Sequence, residues 1–246
     1  IKKGFNGGHL GTPSQQVTSS GPSWMTILTG VWTDQHKVTS NAASQISKAK
    51  SVFSLIKSSN PKLSTASIST WKNINLLLYQ DMYHVNFSTQ GGGDAYSTNL
   101  AVRQIEQHAP DFIFIHLDDA DIIGHAKGFG KEYTTTIKQI DTRIGKLLKA
   151  VGQREKNNQE EWLVLLVTDH GRSFNGKGHG DQTLSEKTIF VGMNKKGNSF
   201  FQNINNETSF KSIKELERFA VPQTAIVPTI LKFLNIPILK EWKLDA

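Results

Sequence analysis

Five residues with the chemistry of metal ligands stand at three places in this chain: Asp121 and His125 in DIIGH, Asp169 and His170 in TDHG, and His179 in GHG. Cysteine is absent, so thiolate sites, cysteine nucleophiles and disulfides are all excluded. Nitrogen and oxygen donors without sulfur suit zinc or a zinc-like divalent ion. Five such donors can serve two ions, and two ions about 4 Å apart form the standard clamp for in-line displacement at phosphorus. One ion activates the attacking oxygen; the other steadies the leaving oxygen.

A hydroxyl stands in a position of interest as well. Ser20 opens SGPSWMTILTG, whose apolar Trp24, Met25, Ile27 and Leu28 precede Gly30 and match a short helix. A hydroxyl there ordinarily caps the helix. The same exposed N–H groups and positive helix end also favour a phosphate, or the alkoxide form of a serine nucleophile.

The elements that must position these groups can be read from periodicity. Trp162 to Val167 is six consecutive apolar residues running straight into Asp169 and His170, the pattern of a strand buried on both faces. DFIFIHL, residues 111 to 117, is a second such strand, and its exit carries Asp118, Asp119, Asp121 and His125. Tyr133, Ile137, Ile140, Ile144, Leu147, Leu148 and Val151 keep helical steps of three and four, predicting a long helix with that stripe in the core. Further helices are expected over residues 44 to 58, from a cap at Asp94 to Pro110, and from Pro222 to Leu234. Strands are expected at 66 to 71, 82 to 87 and 188 to 193, and the first nineteen residues read as an extended surface segment. Residues 198 to 212, rich in Asn and Ser, read as a surface excursion. Helices alternate with strands throughout, as βαβ units with a parallel sheet require. In such sheets ligands bind at the carboxyl ends of the strands, which is where the Asp and His residues fall.

Length and composition set the frame. The 246 residues suffice for one substantial core, and one domain over residues 1–246 is the expected organisation. Hydrophobic content of 37% and charged content of 20% are ordinary for a folded chain. No apolar run approaches the length of a membrane span, and the first residues lack the apolar core of a signal peptide. Lys and Arg outnumber Asp and Glu, 28 against 21, for a net charge of +7, a balance that attracts anionic substrates. The lysines are dispersed, as on a solvated face, so no specific nucleic-acid partner is expected.

Several separated stretches together resemble the alkaline phosphatase superfamily, and in particular its type I phosphodiesterase/nucleotide pyrophosphatase branch. They are SSGPSWMTILTGVWTDQHKVTSN, DADIIGHAKGFG, IKQIDTRIGKLLKAV, LLVTDHGRS, GKGHGDQT and PQTAIVPTILKFLNIP, in the family's order and over nearly the whole chain. The resemblance implies a three-layer α/β/α sandwich with a mostly parallel central sheet. It also implies that Asp121, His125 and His179 hold one ion, while Asp169 and His170 hold the other together with the nucleophile. The family's nucleophile lies two residues before a proline, which selects Ser20 against Pro22, with Thr18 and Ser19 as neighbours to weigh. Asn41 matches an asparagine that donates to a phosphate oxygen in the phosphodiesterase branch; an ordinary loop hydrogen bond is the other reading. Asp118 and Asp119 are expected as solvated loop carboxylates, His36 as a packed or turn residue, and His9, His84, His108 and His116 match no ligand position.

Two departures from the family pattern matter. The second ion of the family also takes an aspartate from the end of a first strand, and here no Asp precedes Asp34, so the sequence is expected to begin after that strand. The sulfatases of the same architecture carry an Arg where this chain has Trp24, which argues against a sulfatase. The resulting expectation is a hydrolase of phosphodiesters or nucleotide pyrophosphates, using Ser20 and two divalent ions, most simply zinc, on a small phosphate-ester substrate. A phosphomonoesterase or phosphotransferase of the same superfamily, and a non-catalytic domain with an incomplete metal site, are the alternatives. Kinship alone favours an extracellular or periplasmic location.

Overall fold

The computed structural model describes residues 1–204 and 209–245. In chain order the elements begin with β1 (Lys2–Phe5), α1 (Ser20–Thr29), α2 (Thr33–His36), α3 (Val52–Ser59), β2 (Thr65–Ser69), α4 (Asn73–Leu77) and β3 (Phe87–Gln90). Then come α5 (Gly93–Gln107), β4 (Phe112–His116), α6 (Asp119–Lys127), α7 (Lys131–Asn158), β5 (Leu165–Val167) and α8 (Leu184–Lys187). The chain ends through β6 (Thr188–Met193), α9 (Ser199–Asn203), α10 (Ile213–Phe219), β7 (Val221–Pro222) and α11 (Ile226–Phe233).

The architecture is the α/β sandwich expected, with helices on both sides of the strand layer. Alternation along β4 shows how the layers are built, because successive side chains point to opposite faces of a strand. Phe112 and Phe114 pack with Trp24, Phe53 and Val227 on the side of α1, α3 and α11. Ile113 packs with Ile105, Ala150 and Val151 on the side of α5 and α7. The strand layer itself is divided into two ladders: β3-β2-β4, which is parallel, and β5-β6-β1-β7, which mixes antiparallel pairs with one parallel pair. β4 and β5 each therefore have one edge without a strand partner among the described residues.

Several local expectations give way to tertiary structure. The opening residues are not a featureless surface segment: β1 lies inside a sheet, its Phe5 is buried, and that ring stacks on Trp32 at 5.7 Å. The helix expected from 44 to 58 starts only at Val52, because Ser51 caps it and the Asp81 carboxylate accepts the Ser51 N–H. The strand expected at 82 to 87 is a 3-10 turn over Tyr79–His84, and the strand follows it as β3. Asp94 does not cap α5; it is buried and accepts the N–H groups of Asp118 at 2.6 Å and Asp119 at 3.1 Å. Of the expected surface excursion, Ser199–Asn203 forms the short α9, and residues 205–208 lie outside the described residues.

Two corrections share one cause. The strand expected to be buried on both faces is shorter than its apolar run and only half-buried along Leu165–Val167. The α7 stripe expected in the core leaves Ile137 42% and Leu148 45% exposed. Both elements border a cavity of about 820 Å³ in the strand layer, so apolar positions that read as interior face open space.

Candidate metal and phosphate site

The carboxyl ends of β4 and β5 deliver the acidic and imidazole residues to one rim. β4 ends at His116 and leads into α6, a helix the sequence reading did not anticipate, which puts Asp121 and His125 one turn apart on one face. β5 ends at Val167 and leads directly to Asp169 and His170. The loop after it returns His179 to the same place, and the N-terminus of α1 brings Ser20.

Asp121, His125 and His179 form one set of donors. His125 Nε2 lies 3.3 Å from an Asp121 oxygen and 3.1 Å from His179 Nε2, and His179 Nε2 lies 3.8 Å from the other Asp121 oxygen. Ser20, Asp169 and His170 form the second: Ser20 Oγ and an Asp169 oxygen each stand 3.3 Å from His170 Nε2. The two sets adjoin. Ligand atoms from Asp121, His170 and His179 lie within 4.8 Å of one another, and the His170 and His179 rings stack at 3.8 Å.

The tautomers can be deduced from the backbone. His125 Nδ1 lies 2.8 Å from the Lys177 carbonyl, His170 Nδ1 2.9 Å from that of Gly171, and His179 Nδ1 3.0 Å from that of Thr18. A carbonyl oxygen only accepts, so in each ring Nδ1 carries the proton and, in the neutral imidazole, Nε2 presents a lone pair. Two such lone pairs then face each other at 3.1 Å between His125 and His179, which is repulsive unless a proton or cation sits between them. The donor set fits a divalent ion: with zinc-to-nitrogen distances near 2.05 Å, the corners of a tetrahedron stand about 3.3 Å apart, close to the spacings of both sets. A backbone carbonyl on the opposite ring nitrogen is also the usual support for a metal-binding histidine.

Electrostatics at the site follow from burial and neighbours. Burial raises the Asp121 carboxyl pKa, and the Arg172 hydrogen bond and charge, with His170 and His125, more than offset this, holding it below the ordinary value. His179 is lowered by burial and then by His170, which favours its neutral form. Asp118 is not the solvated loop carboxylate expected: burial, then Asp121, Asp94 and Asp169, push it up to about 6. Asp119 instead pairs with Arg143 at 3.0 Å.

The neighbours of Ser20 are each otherwise engaged. Thr18 is fully buried, and its hydroxyl bonds to Glu186 while accepting the N–H groups of Gly180 and Gln182. The Ser19 hydroxyl donates to Asn41 Oδ1 at 3.0 Å. Ser19, not Ser20, occupies the cap position of α1. Asn41 Oδ1 also accepts the Gly21 N–H at 2.7 Å, so Asn41 stands beside Ser20 at the helix end. His36 is a packed residue as expected: it is buried, accepts the Val38 N–H and contacts the Thr26 hydroxyl. His116 lies against Trp24 and accepts the Trp71 N–H, and burial lowers its pKa to about 4 even though the charges of Asp169 and Asp121 act to raise it.

Two residues that sequence reasoning missed hold the site in shape. Arg172 is buried, ion-paired with Asp121 and bonded to the Gly176 and Lys177 carbonyls. Its guanidinium lies over Gly124, where an added Cβ would meet Arg172 Cζ at 2.5 Å; the glycine in DIIGH makes room for it. Glu186 is buried, accepts from Thr18, Asp181 and Thr183, and so ties the His179 loop to the segment before Ser20. The only sequence hints were an Arg just after DHG and the TLSE capping box.

A fold with helices on both sides of a largely parallel strand layer, and a rim of Asp and His donors at its carboxyl ends, defines a metalloenzyme of the alkaline phosphatase-like kind. Comparison with known proteins bears this out: the Metalloenzyme superfamily model matches residues 2–215, and the chain belongs to that superfamily. It is 30% identical over 138 residues to the GPI ethanolamine phosphate transferase 2 of Schizosaccharomyces pombe (strain 972 / ATCC 24843). That match covers 54% of this chain and 18% of the relative, so the chain spans about a fifth of the relative's length. Among solved structures, Ps i-CgsB is similar with a TM-score of 0.57 at 13% identity, over 94% of this chain and 65% of that one. The same protein in complex with k-i-k-neocarrahexaose is similar at the same TM-score and coverage, with 14% identity. At such identities these structures speak for the fold.

Proposed function

We propose that the chain is a metal-dependent hydrolase of phosphoric esters, with Ser20 as nucleophile and phosphodiesters or nucleotide pyrophosphates as substrates. The observation that carries this is the common orientation of His125, His170 and His179, whose Nδ1 protons go to backbone carbonyls while their Nε2 atoms meet Asp121, Asp169 and Ser20. Asp121, His125 and His179 would hold one divalent ion, zinc by donor type, and Asp169, His170 and Ser20 the other. Bound there, the ions supply Lewis-acid charge to phosphoryl oxygens and favour the ionised Ser20 hydroxyl.

The chain's own groups perform the rest. Ser20 Oγ, at the positive end of α1, gives up its proton to solvent and attacks phosphorus in line; the bond from phosphorus to the leaving alcohol or phosphate oxygen breaks, that oxygen takes a proton from water, and the phosphoryl group with its remaining substituent stays on Ser20. Water then attacks the same phosphorus and Ser20 Oγ departs. Asn41 Oδ1 is committed to Gly21 N–H and Ser19, which turns its Nδ2 into the available donor for a phosphoryl oxygen. The chain's excess of positive charge draws anionic esters from solution.

A second reading has a specific support. The relative from Schizosaccharomyces pombe is named a GPI ethanolamine phosphate transferase, and the same ester on Ser20 could pass its phosphoryl group, with any remaining substituent, to an alcohol rather than to water. Incubation with zinc and bis-nitrophenyl phosphate, followed by acid quench and peptide mass spectrometry, tests both. Phosphate ester on the Ser20 peptide, lost in Ser20→Ala, supports the nucleophile; turnover by Ser20→Ala at the parent rate refutes it. Added alcohol acceptors that capture most of the phosphoryl group would favour transfer over hydrolysis.

A further inference from the structure

α6 carries Asp121 and His125, yet little apolar packing holds it. Of its nine residues only Gly124 is buried, and Ile122 is 57% exposed. A short helix ordinarily takes its place from an apolar face laid on the core. α6 is placed by polar contacts instead. Arg172 lies over Gly124 and pairs with Asp121; the other contacts gather at the first turn.

The first N–H groups of a helix have no partner within it, and Asp118, at the cap position of α6, makes no side-chain cap bond. Asp94 of α5 supplies the acceptor. Its Oδ1 takes the Asp118 N–H at 2.6 Å and its Oδ2 the Asp119 N–H at 3.1 Å. Three left-handed glycines, Gly91, Gly92 and Gly93 (φ 82°, 86° and 76°), turn the chain from β3 into α5 just before it, a course that glycine follows without steric cost. The Asp94 side chain is 0% exposed, and bonds to an ionised acceptor are among the strong ones. From α7, Arg143 Nη1 reaches the Asp119 carboxylate at 3.0 Å and stands 3.9 Å from that of Asp94. Three helices thus meet at the start of α6.

We propose that Asp94, supported by Arg143, is a positioning residue for the ion assigned above to Asp121, His125 and His179; the inference rests on that assignment. By fixing the first turn of α6, Asp94 sets where the two α6 donors stand relative to His179. The lever is long enough to matter. From Asp119 to His125 is about 9 Å along the axis, so a swing of about 10° moves the imidazole by about 1.6 Å. Metal-to-donor distances hold to about 0.2 Å. Asp121, nearer the pivot, moves about a third as far, so His125 is the donor lost first. Asp169, His170 and Ser20 are carried by other elements and do not move with α6.

The test is calorimetric zinc titration of the whole chain, with cobalt(II) absorption as a report on donor geometry. Asp94→Asn keeps the shape of the side chain but turns an amide NH2 toward one of the two N–H groups. It should lower the affinity of one ion about 10- to 100-fold, as loss of an outer support of metal ligands does, and alter the cobalt spectrum. The other ion should keep its affinity within about twofold. In a His170→Ala chain, which retains the α6 donors, the loss should persist; in a His125→Ala chain, Asp94→Asn should leave the remaining ion unchanged. Arg143→Met spares both Asp94 bonds and should lower the same affinity roughly threefold or more, which keeps the test open if Asp94→Asn does not fold. Unfolding midpoints in chelator separate positioning from plain destabilisation. A less stable Asp94→Asn chain with both affinities intact would overturn the proposal, as would equal losses at both ions. A His125→Ala chain with the zinc stoichiometry of the parent would overturn the ion assignment itself, and this role with it.

Discussion

Replacement of Gly124 by Ala sets two effects of opposite sign against each other. Gly124 lies within α6, and in a helix interior Ala is favoured over Gly by about 1 kcal/mol. Against this, the new Cβ would stand 2.5 Å from Arg172 Cζ and 2.6 Å from its Nε, well inside any real contact distance, so the guanidinium must move. Arg172 has a side chain 7% exposed, whereas Asp121 is 33% exposed. Breaking a fully buried pair costs about 3 to 5 kcal/mol, and the partial exposure of Asp121 lowers this to roughly 2 to 4 kcal/mol. After the helix gain, Gly124→Ala should be about 1 to 3 kcal/mol less stable in urea denaturation at pH 7 with chelator present. The double-mutant cycle with Arg172→Met isolates the cause: the three nearest contacts of the new Cβ are all guanidinium atoms, so once they are gone the cost of the alanine should fall by most of its value. A Gly124→Ala chain more stable than the parent by about 1 kcal/mol would refute the placement of Arg172 over α6.

Other expectations follow from the same structure. Thr18→Val keeps the shape but removes the hydroxyl between Glu186 and the His179 loop; zinc affinity by calorimetry should fall roughly 10- to 100-fold, as for other supports of metal-binding histidines, and an unchanged affinity would deny Thr18 that role. His36 is buried, and burial followed by Lys37 lowers it from 6.5 to about 3. The unfolded chain therefore binds the extra proton between about pH 3 and 6.5, and stability falls as pH drops through that window by about 1.4 kcal/mol per unit. Above pH 6.5 the residue contributes no slope, and His36→Gln, measured by denaturant midpoint against pH, should flatten that acid limb.

Much of this was legible in the sequence because it rests on local pattern. The long α7, β4 and β6 declared themselves by period and by runs of apolar residues, and the Asp and His residues fell at strand exits where parallel sheets bind ligands. The strand β1 was not legible: KKGF has one apolar side chain, and its partners β6 and β7 lie near the other end of the chain. α6 was hidden because acidic residues at a helix start read equally well as a loop. The tautomers that align His125, His170 and His179 depend on carbonyls of Lys177, Gly171 and Thr18, which no side-chain pattern encodes. The division between β4 and β5 was likewise invisible, since the residues bordering it carry the composition of a filled core.

Anomalous X-ray scattering at the zinc absorption edge, from crystals of the chain grown with zinc, locates the bound ions. One peak is expected between Asp121, His125 and His179 and a second between Asp169, His170 and Ser20, each within about 2.2 Å of its nitrogen and oxygen donors. Well-ordered crystals with no peak between the Nε2 atoms of His125 and His179 would contradict this placement.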